Sequence, residues 1–260
     1  MGATARGRLP AADTYLIATA FRAGMHDDPA WAAVFWDIGG VILAVDSVKR
    51  AHEAFVEDLC AAYPCAVAPS EALSTWRVTV GDYFAERDGT EFRPARVAYD
   101  RAVEAILDRP VPRDEWRGRF HEAFDRHAEP NAGAVETIGR LAEMPVHVGV
   151  ISDVDHEEGQ RILRGFGIWD HVDSYTSSES VGRTKPDSRM FEAALDAAGV
   201  PAARSLMVGD RYTHDMAGAK AVGLSSIAYG AEDGPAVDFR VSSLEAVLDV
   251  VADASPDASE

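Results

Sequence analysis

The chain has 260 residues, with 43 Asp and Glu against 25 Lys and Arg, and a net charge of −18. Such a surface repels nucleic acid and anionic membrane, so neither is expected as a partner, and no apolar stretch nears the roughly 20 residues that cross a bilayer. The length allows one large domain, or a core domain with a smaller insertion. Lysine occurs only at 49, 185 and 220, and the acidic residues are spread along the chain. That pattern suits a halophile's salt-rich cytoplasm, where screening removes self-repulsion; a genomic preference for Arg over Lys is the competing origin. Cys60 and Cys65 have no His or further Cys nearby at zinc-ligand spacing and read as a reduced cytoplasmic pair.

Residues 1–30 read as an N-terminal extension of weak periodicity. Within it Thr14–Phe21 is too short an apolar run for a secretory leader, and Met25 is an alternative start. Val34-Phe35-Trp36 reads as a short buried strand running into Asp37, and an Ala- and Glu-rich helix is expected from about Val48 to Ala62. Residues 63–128 keep helical apolar spacing, as at Val97, Val103, Ile106 and Leu107, interrupted by Gly89, Pro94, Pro110 and Pro112. An all-helical insertion over 48–128 therefore divides a core made of 31–47 and 129–252.

After Pro130 helices and strands alternate. Ala134–Glu143 is expected as a helix, Val146–Ile151 as a strand ending at Ser152, Glu157–Gly165 as a helix and Val172–Tyr175 as a strand. Ser188–Ala198 is a helix opened by Pro186-Asp187 and closed by Gly199. Ser205–Val208, Met216–Val222, Leu224–Ala228 and Ser243–Val251 continue as strand, helix, strand and helix, before an acidic tail at 253–260. This alternation predicts an α/β fold, a doubly wound parallel sheet with helices on both faces.

Four short segments carry the chemistry: Asp37-Ile38-Gly39-Gly40-Val41, Ser152-Asp153, Lys185-Pro186-Asp187, and Gly209-Asp210 followed by Asp215. Three of them end an apolar strand, where an open parallel sheet places its ligand. Singly each has an ordinary reading: Asp210 and Asp215 as helix caps, Ser152 as a turn residue, Lys185 as a surface lysine, and Gly39-Gly40 as a tight turn. Together they offer a carboxylate nucleophile, a hydroxyl, a fixed cation and metal-binding carboxylates, which is the equipment of phosphoryl transfer.

In their order and context these segments resemble the haloacid dehalogenase (HAD) superfamily, in the subgroup with a helical cap after the first motif. The resemblance covers roughly residues 32–230. It implies Asp37 as nucleophile and ligand of a Mg²⁺ ion, the backbone carbonyl of Gly39 and the Asp210 carboxylate as further ligands, and Asp215 as a supporting ligand. It also implies Lys185, Ser152 and backbone N–H groups around Gly39, Gly40 and Asp153 as phosphate-binding groups, with a small phosphorylated metabolite as substrate. The cap would select that substrate; if the Glu86–Thr90 turn faces the site, Arg87 or Arg93 is a candidate to meet an anionic group, and the competing reading is a solvated turn between helices. Trp76, Tyr83, Phe84 and Trp116 read instead as the cap's core.

One departure stands out. Most phosphatases of the superfamily carry a second Asp two residues after the nucleophile as general acid/base, and here that place is Gly39. A slow phosphatase is expected, with Asp46, His52 or a cap residue as candidate proton carriers. Two other readings stay open: a phospholigand-binding protein without turnover, and a dehalogenase-type hydrolase. The retained Gly209-Asp210 and Asp215 argue against the dehalogenase.

Overall fold

The computed structural model describes residues 31–253. The expected extension over 1–30, and the tail beyond Asp253, lie outside the described residues. Six parallel strands form one sheet in the order β3-β2-β1-β4-β5-β6. They are β1 (Ala33–Trp36), β2 (His147–Ser152), β3 (Ser174–Ser177), β4 (Ser205–Gly209), β5 (Ser225–Tyr229) and β6 (Phe239–Val241). The chain builds outward from β1 to β3, then returns to lay β4 on the other side of β1. The crevice between these two halves opens at the carboxyl ends of β1 and β4, the switch point of a doubly wound sheet.

Both faces of the sheet are covered, so β1 is apolar at every position. Val34 and Trp36 join one core with Val148, Val150, Leu206 and Val208. Ala33 and Phe35 point the other way, with Ile151 and Met207, as the two-residue period of a strand requires. The first core is closed by α5 (Ala134–Ala142), α6 (His156–Gly165) and α10 (Val247–Asp253); the second by α8 (Ser188–Ala198) and α9 (Ala217–Ala221). A single helical turn, α7 (Ser178–Val181), follows β3.

Four helices lie between β1 and α5: α1 (Val45–Ala62), α2 (Pro69–Ala85), α3 (Ala95–Leu107) and α4 (Arg113–His127). They enclose a separate apolar cluster built on Phe55, Trp76, Trp116 and Phe120. Trp76 stacks on Tyr99 with ring centroids 5.1 Å apart. The insert is tied to the sheet by Asp155, which follows β2. Its carboxylate accepts the Ala95 N–H at 2.8 Å and the Arg96 N–H at 3.1 Å, the first free donors of α3. Pro94, the residue before α3, supplies no side-chain cap, so the cap comes from the core.

Several expectations shift. Cys60 and Cys65 are joined as a disulfide, overturning the reduced pair. The chain leaves α1 and folds back, bringing the two Cα atoms to 5.5 Å, within bridging reach. Strand β3 begins and ends two residues later than its apolar residues suggested, because all four of its paired residues, Ser174–Ser177, carry hydroxyls. The three-residue β6 and the single turn α7 are too short for periodicity to reveal. The helix expected from Met216 is preceded by a π-helical turn, Tyr212–Met216.

His52, on α1, packs against Trp76, Tyr99 and Phe120. Burial, helped by the Arg77 charge, pushes its imidazole down to about 4. The folded state therefore prefers neutral His52. The associated stability is present above pH 6.5 and is lost as pH falls from 6.5 towards 4, by up to about 3 kcal/mol. The melting temperature of the His52→Phe variant should accordingly fall less than that of the parent between pH 6.5 and 4.5. Parallel profiles would show that His52 does not drive the acid sensitivity.

Candidate active site

Asp37 follows β1 directly. Trp36 pairs in register with Val150 of β2 and Val208 of β4, so the residues just beyond those positions emerge at one edge of the sheet. Ser152, Gly209 and Asp210 are among them, and the sheet brings them to Asp37.

The Asp37 carboxylate is buried, 3 % exposed. Its Oδ1 accepts the Ile38 N–H at 2.7 Å and the Ser152 hydroxyl at 2.9 Å. Its Oδ2 lies 2.9 Å from Lys185 Nζ. That ammonium, also buried, sits 2.6 Å from Asp215 Oδ1 and donates to the Ile151 carbonyl at 3.1 Å. Burial alone would lower the Lys185 pKa, but Asp215, Asp37 and Asp153 outweigh it and hold it raised. Lys185 is thus a fixed cation. Burial pushes the Asp37 carboxyl up from its usual range, Lys185 opposes this, and Asp215 and Asp153 add to it.

The π-helical turn re-aims Asp215 towards the start of its own loop. Its Oδ2 accepts the N–H groups of Asp210 at 3.2 Å and Arg211 at 3.0 Å. Neither Asp215 Oδ1 nor Asp210 Oδ1 accepts a hydrogen bond, but the first is held by the Lys185 ammonium, whereas Asp210 Oδ1 is buried with no ion-pair partner among the described residues. Asp37, Asp210 and Asp215 present oxygens within 4.8 Å of one another. A buried bare carboxylate oxygen among such neighbours is costly without a cation, and burial with the Asp215 charge raises the Asp210 carboxyl. This all-oxygen set fits a hard divalent cation. Gly40 makes the approach possible: it has φ +78°, and a Cβ there would fall 1.9 Å from Asp210 Oδ2.

The two glycines differ. The Gly40 N–H donates to the Leu43 carbonyl at 2.9 Å, so it is spent within the loop and not free for phosphate. Gly39 is exposed, and a Cβ on it would meet nothing within 4 Å. The absence of a carboxylate at 39 is therefore not imposed by space. Asp153 turns its carboxylate to structural use, accepting the Lys185 N–H at 2.8 Å and pairing with Arg211 at 3.1 Å.

Two residues were expected as candidate proton carriers. Asp46 is 82 % exposed and paired with Lys49, and His52 is packed among aromatic rings of the insert. Sequence reasoning also missed Asn131, whose amide donates to the carbonyls of Gly40 and Val41 at 2.8 and 2.9 Å and pins the loop after Asp37. The only signal was an Asn after Pro130, indistinguishable from an ordinary turn.

Comparison with known proteins agrees with this arrangement. Residues 31–223 match the family model described as haloacid dehalogenase-like hydrolase. Glyceraldehyde 3-phosphate phosphatase of Methanocaldococcus jannaschii is 26 % identical over 162 residues, 59 % of this chain and 71 % of that protein. Ribulose-1,5-bisphosphate 5-phosphatase of Halopiger xanaduensis is 30 % identical over 133 residues, 50 % of this chain and 56 % of that protein, so the match spans about half the relative's length. The crystal structure of a HAD phosphatase from Thermococcus onnurineus shares the fold with a TM-score of 0.62, at 18 % identity, over 85 % of this chain and 97 % of that one. A parallel sheet in this order, a buried Asp–Lys pair at its switch point and a family match over most of the chain make this protein a member of the haloacid dehalogenase-like hydrolases.

Proposed function

We propose that the protein is a Mg²⁺-dependent phosphatase of a small phosphorylated metabolite, acting through an aspartyl-phosphate on Asp37. The observation that carries this reading is the buried Asp37 carboxylate between Ser152 Oγ and Lys185 Nζ, each 2.9 Å away. The phosphatase relatives support the substrate class, and the bare Asp210 oxygen supports a metal and argues against dehalogenation.

Asp37, the Gly39 carbonyl and Asp210 would hold the ion, with Asp215 behind them. Bound there, Mg²⁺ would offset the charge of the phosphate and of the attacking carboxylate. Lys185 holds Asp37 in place and presents fixed positive charge, and Ser152 and the Gly39 N–H receive phosphate oxygens. An Asp37 oxygen attacks phosphorus, the bond to the leaving oxygen breaks, and the alkoxide takes a proton from solvent because Gly39 offers none. Water then attacks the aspartyl-phosphate, releasing inorganic phosphate and restoring the carboxylate. Residues 48–128 act as the cap over this site.

The test is hydrolysis of p-nitrophenyl phosphate, whose leaving group needs no acid, with and without Mg²⁺ in low and molar salt. Metal-dependent turnover is the expected result; full activity in chelator removes the metal from the mechanism. Absence of turnover from folded protein favours the ligand-binding reading that Gly39 suggests. Mg²⁺ should also raise the melting temperature of the parent by several degrees and that of Asp210→Asn far less. Equal shifts would place the ion elsewhere.

A further inference from the structure

The loop after Asp37 carries two consecutive glycines, Gly39 and Gly40. Glycine loses more backbone freedom on folding than any other residue, so this turn needs anchors from outside itself. Gly40 shows where they act. It has φ +78°, and a Cβ there would fall 1.9 Å from Asp210 Oδ2, so its conformation decides how closely the loop meets that carboxylate. The peptide plane before Gly40 is held within the loop, where its N–H donates to the Leu43 carbonyl at 2.9 Å. In a planar trans peptide the carbonyl points opposite to the N–H, so this bond also sets the direction of the Gly39 carbonyl. The plane after Gly40 is held by Asn131, whose Nδ2 donates to the Gly40 carbonyl at 2.8 Å.

Asn131 is bonded on every side of this task. Its amide nitrogen has two hydrogens, and it also donates to the Val41 carbonyl at 2.9 Å. Its backbone N–H donates to the Ile42 carbonyl at 2.8 Å, so one residue holds three successive carbonyls of the loop. Its own carbonyl accepts the Ala134 N–H at 3.1 Å, which ties it to the start of α5. Around it the segments that enter and leave the insert run side by side. Leu43 and Pro130 form an antiparallel bridge, and the Ala44 N–H donates to the Glu129 carbonyl at 3.0 Å. The anchor of the glycine turn thus comes from the far end of the insert, 91 residues from Gly40 in sequence.

We infer that Asn131 is a positioning residue for the reaction: it locks the Gly39-Gly40 turn against Asp210, so that the Gly39 carbonyl and the carboxylates of Asp37 and Asp210 serve one cation. This rests on the metal-dependent reading of the site. It also explains how the chain keeps a defined loop although position 39 carries no side chain.

The test uses the full chain as parent, Asn131→Ala, and Gly39→Ala alone and combined with it. Mg²⁺ affinity is read by calorimetry, beside the kinetics of p-nitrophenyl phosphate hydrolysis. Asn131→Ala is expected to weaken Mg²⁺ binding and to lower kcat, each about 10–100-fold, with KM little changed. Alanine at 39 restricts the same turn, and its Cβ meets nothing within 4 Å. Gly39→Ala should therefore restore part of the affinity lost in the Asn131→Ala background. A residue that only supports the fold would lower the melting temperature and leave Mg²⁺ affinity and kcat at parent values. That result overturns the inference, as does a double variant that binds no better than Asn131→Ala. If the alanine variant does not fold, Asn131→Ser, which keeps one shorter donor, takes its place with a smaller expected loss. If the parent binds no Mg²⁺, the metal-dependent reading fails instead. Amide hydrogen exchange over residues 38–43 then decides the Asn131 question: faster exchange in Asn131→Ala upholds its hold on the turn, and protection equal to the parent's overturns it.

Discussion

Asp37→Asn is expected to lower hydrolysis of p-nitrophenyl phosphate by about 10⁴-fold or more, as loss of a covalent nucleophile does. The amide keeps the shape of the carboxylate and can still accept the Ser152 hydroxyl at its 2.9 Å position, so a loss on this scale reports chemistry and not collapse of the site. Stability should move the other way in the metal-free protein. Asp37 is buried with Asp215 and Asp153 close by, and burial disfavours its charge, so neutralising it relieves a crowded set of carboxylates. A melting temperature equal to or above that of the parent in chelator, beside the lost turnover, is the combined signature of a residue kept for function at the expense of stability. Unchanged hydrolysis would move the nucleophile to another residue.

Gly39→Asp is expected to accelerate hydrolysis of alkyl phosphates by about 10²–10⁴-fold, the usual contribution of general acid–base help. The position is exposed, a Cβ there meets nothing within 4 Å, and its φ lies outside the left-handed region, so the side chain enters without strain. The gain should be small for p-nitrophenyl phosphate, whose leaving group departs without a proton. Gly39→Asn, which fills the same space and holds no transferable proton near neutral pH, should give no comparable gain. Equal effects from Asp and Asn, or none from Asp, would mean that proton transfer does not limit the native reaction. Gly40 offers no such freedom, since a side chain there collides with Asp210.

The parts of this fold that were legible share a physical reason. Each strand that ends in a site residue is buried on both faces, so the stretch before its exit (Ala33–Trp36, Val148–Ile151 and Leu206–Val208) carries no polar side chain. Asp37 and Asp210 could be placed at one edge of the sheet from that pattern alone, and Ser152 closes its own strand. Helix α8 was bounded correctly because Asp187 caps it and Gly199 ends it in the left-handed region, both local signals. What stayed hidden depends on partners distant in sequence. Asn131 reads as a turn residue until the carbonyls of Gly40 and Val41 are folded against it. That Glu86 pairs with Arg93, seven residues on, while Arg87 next to it donates to Thr184, follows from side-chain direction and not from spacing. The Cys60–Cys65 bond was read as absent from an argument about compartment, where the local geometry decided it.

The Asp155 cap on α3 bears on how such an insert can be exchanged during evolution. Asp155 lies three residues beyond Ser152, in the segment that leaves the site, yet the donors it satisfies belong to the insert. A helical insert transplanted onto another core would arrive with its third helix unterminated, at a cost of about 1 kcal/mol, unless the recipient offered a carboxylate at the same place. Swapping inserts between relatives is thus constrained by the recipient's own catalytic strand, and substrate range in this lineage would drift more readily through single residues at the seam than through wholesale replacement.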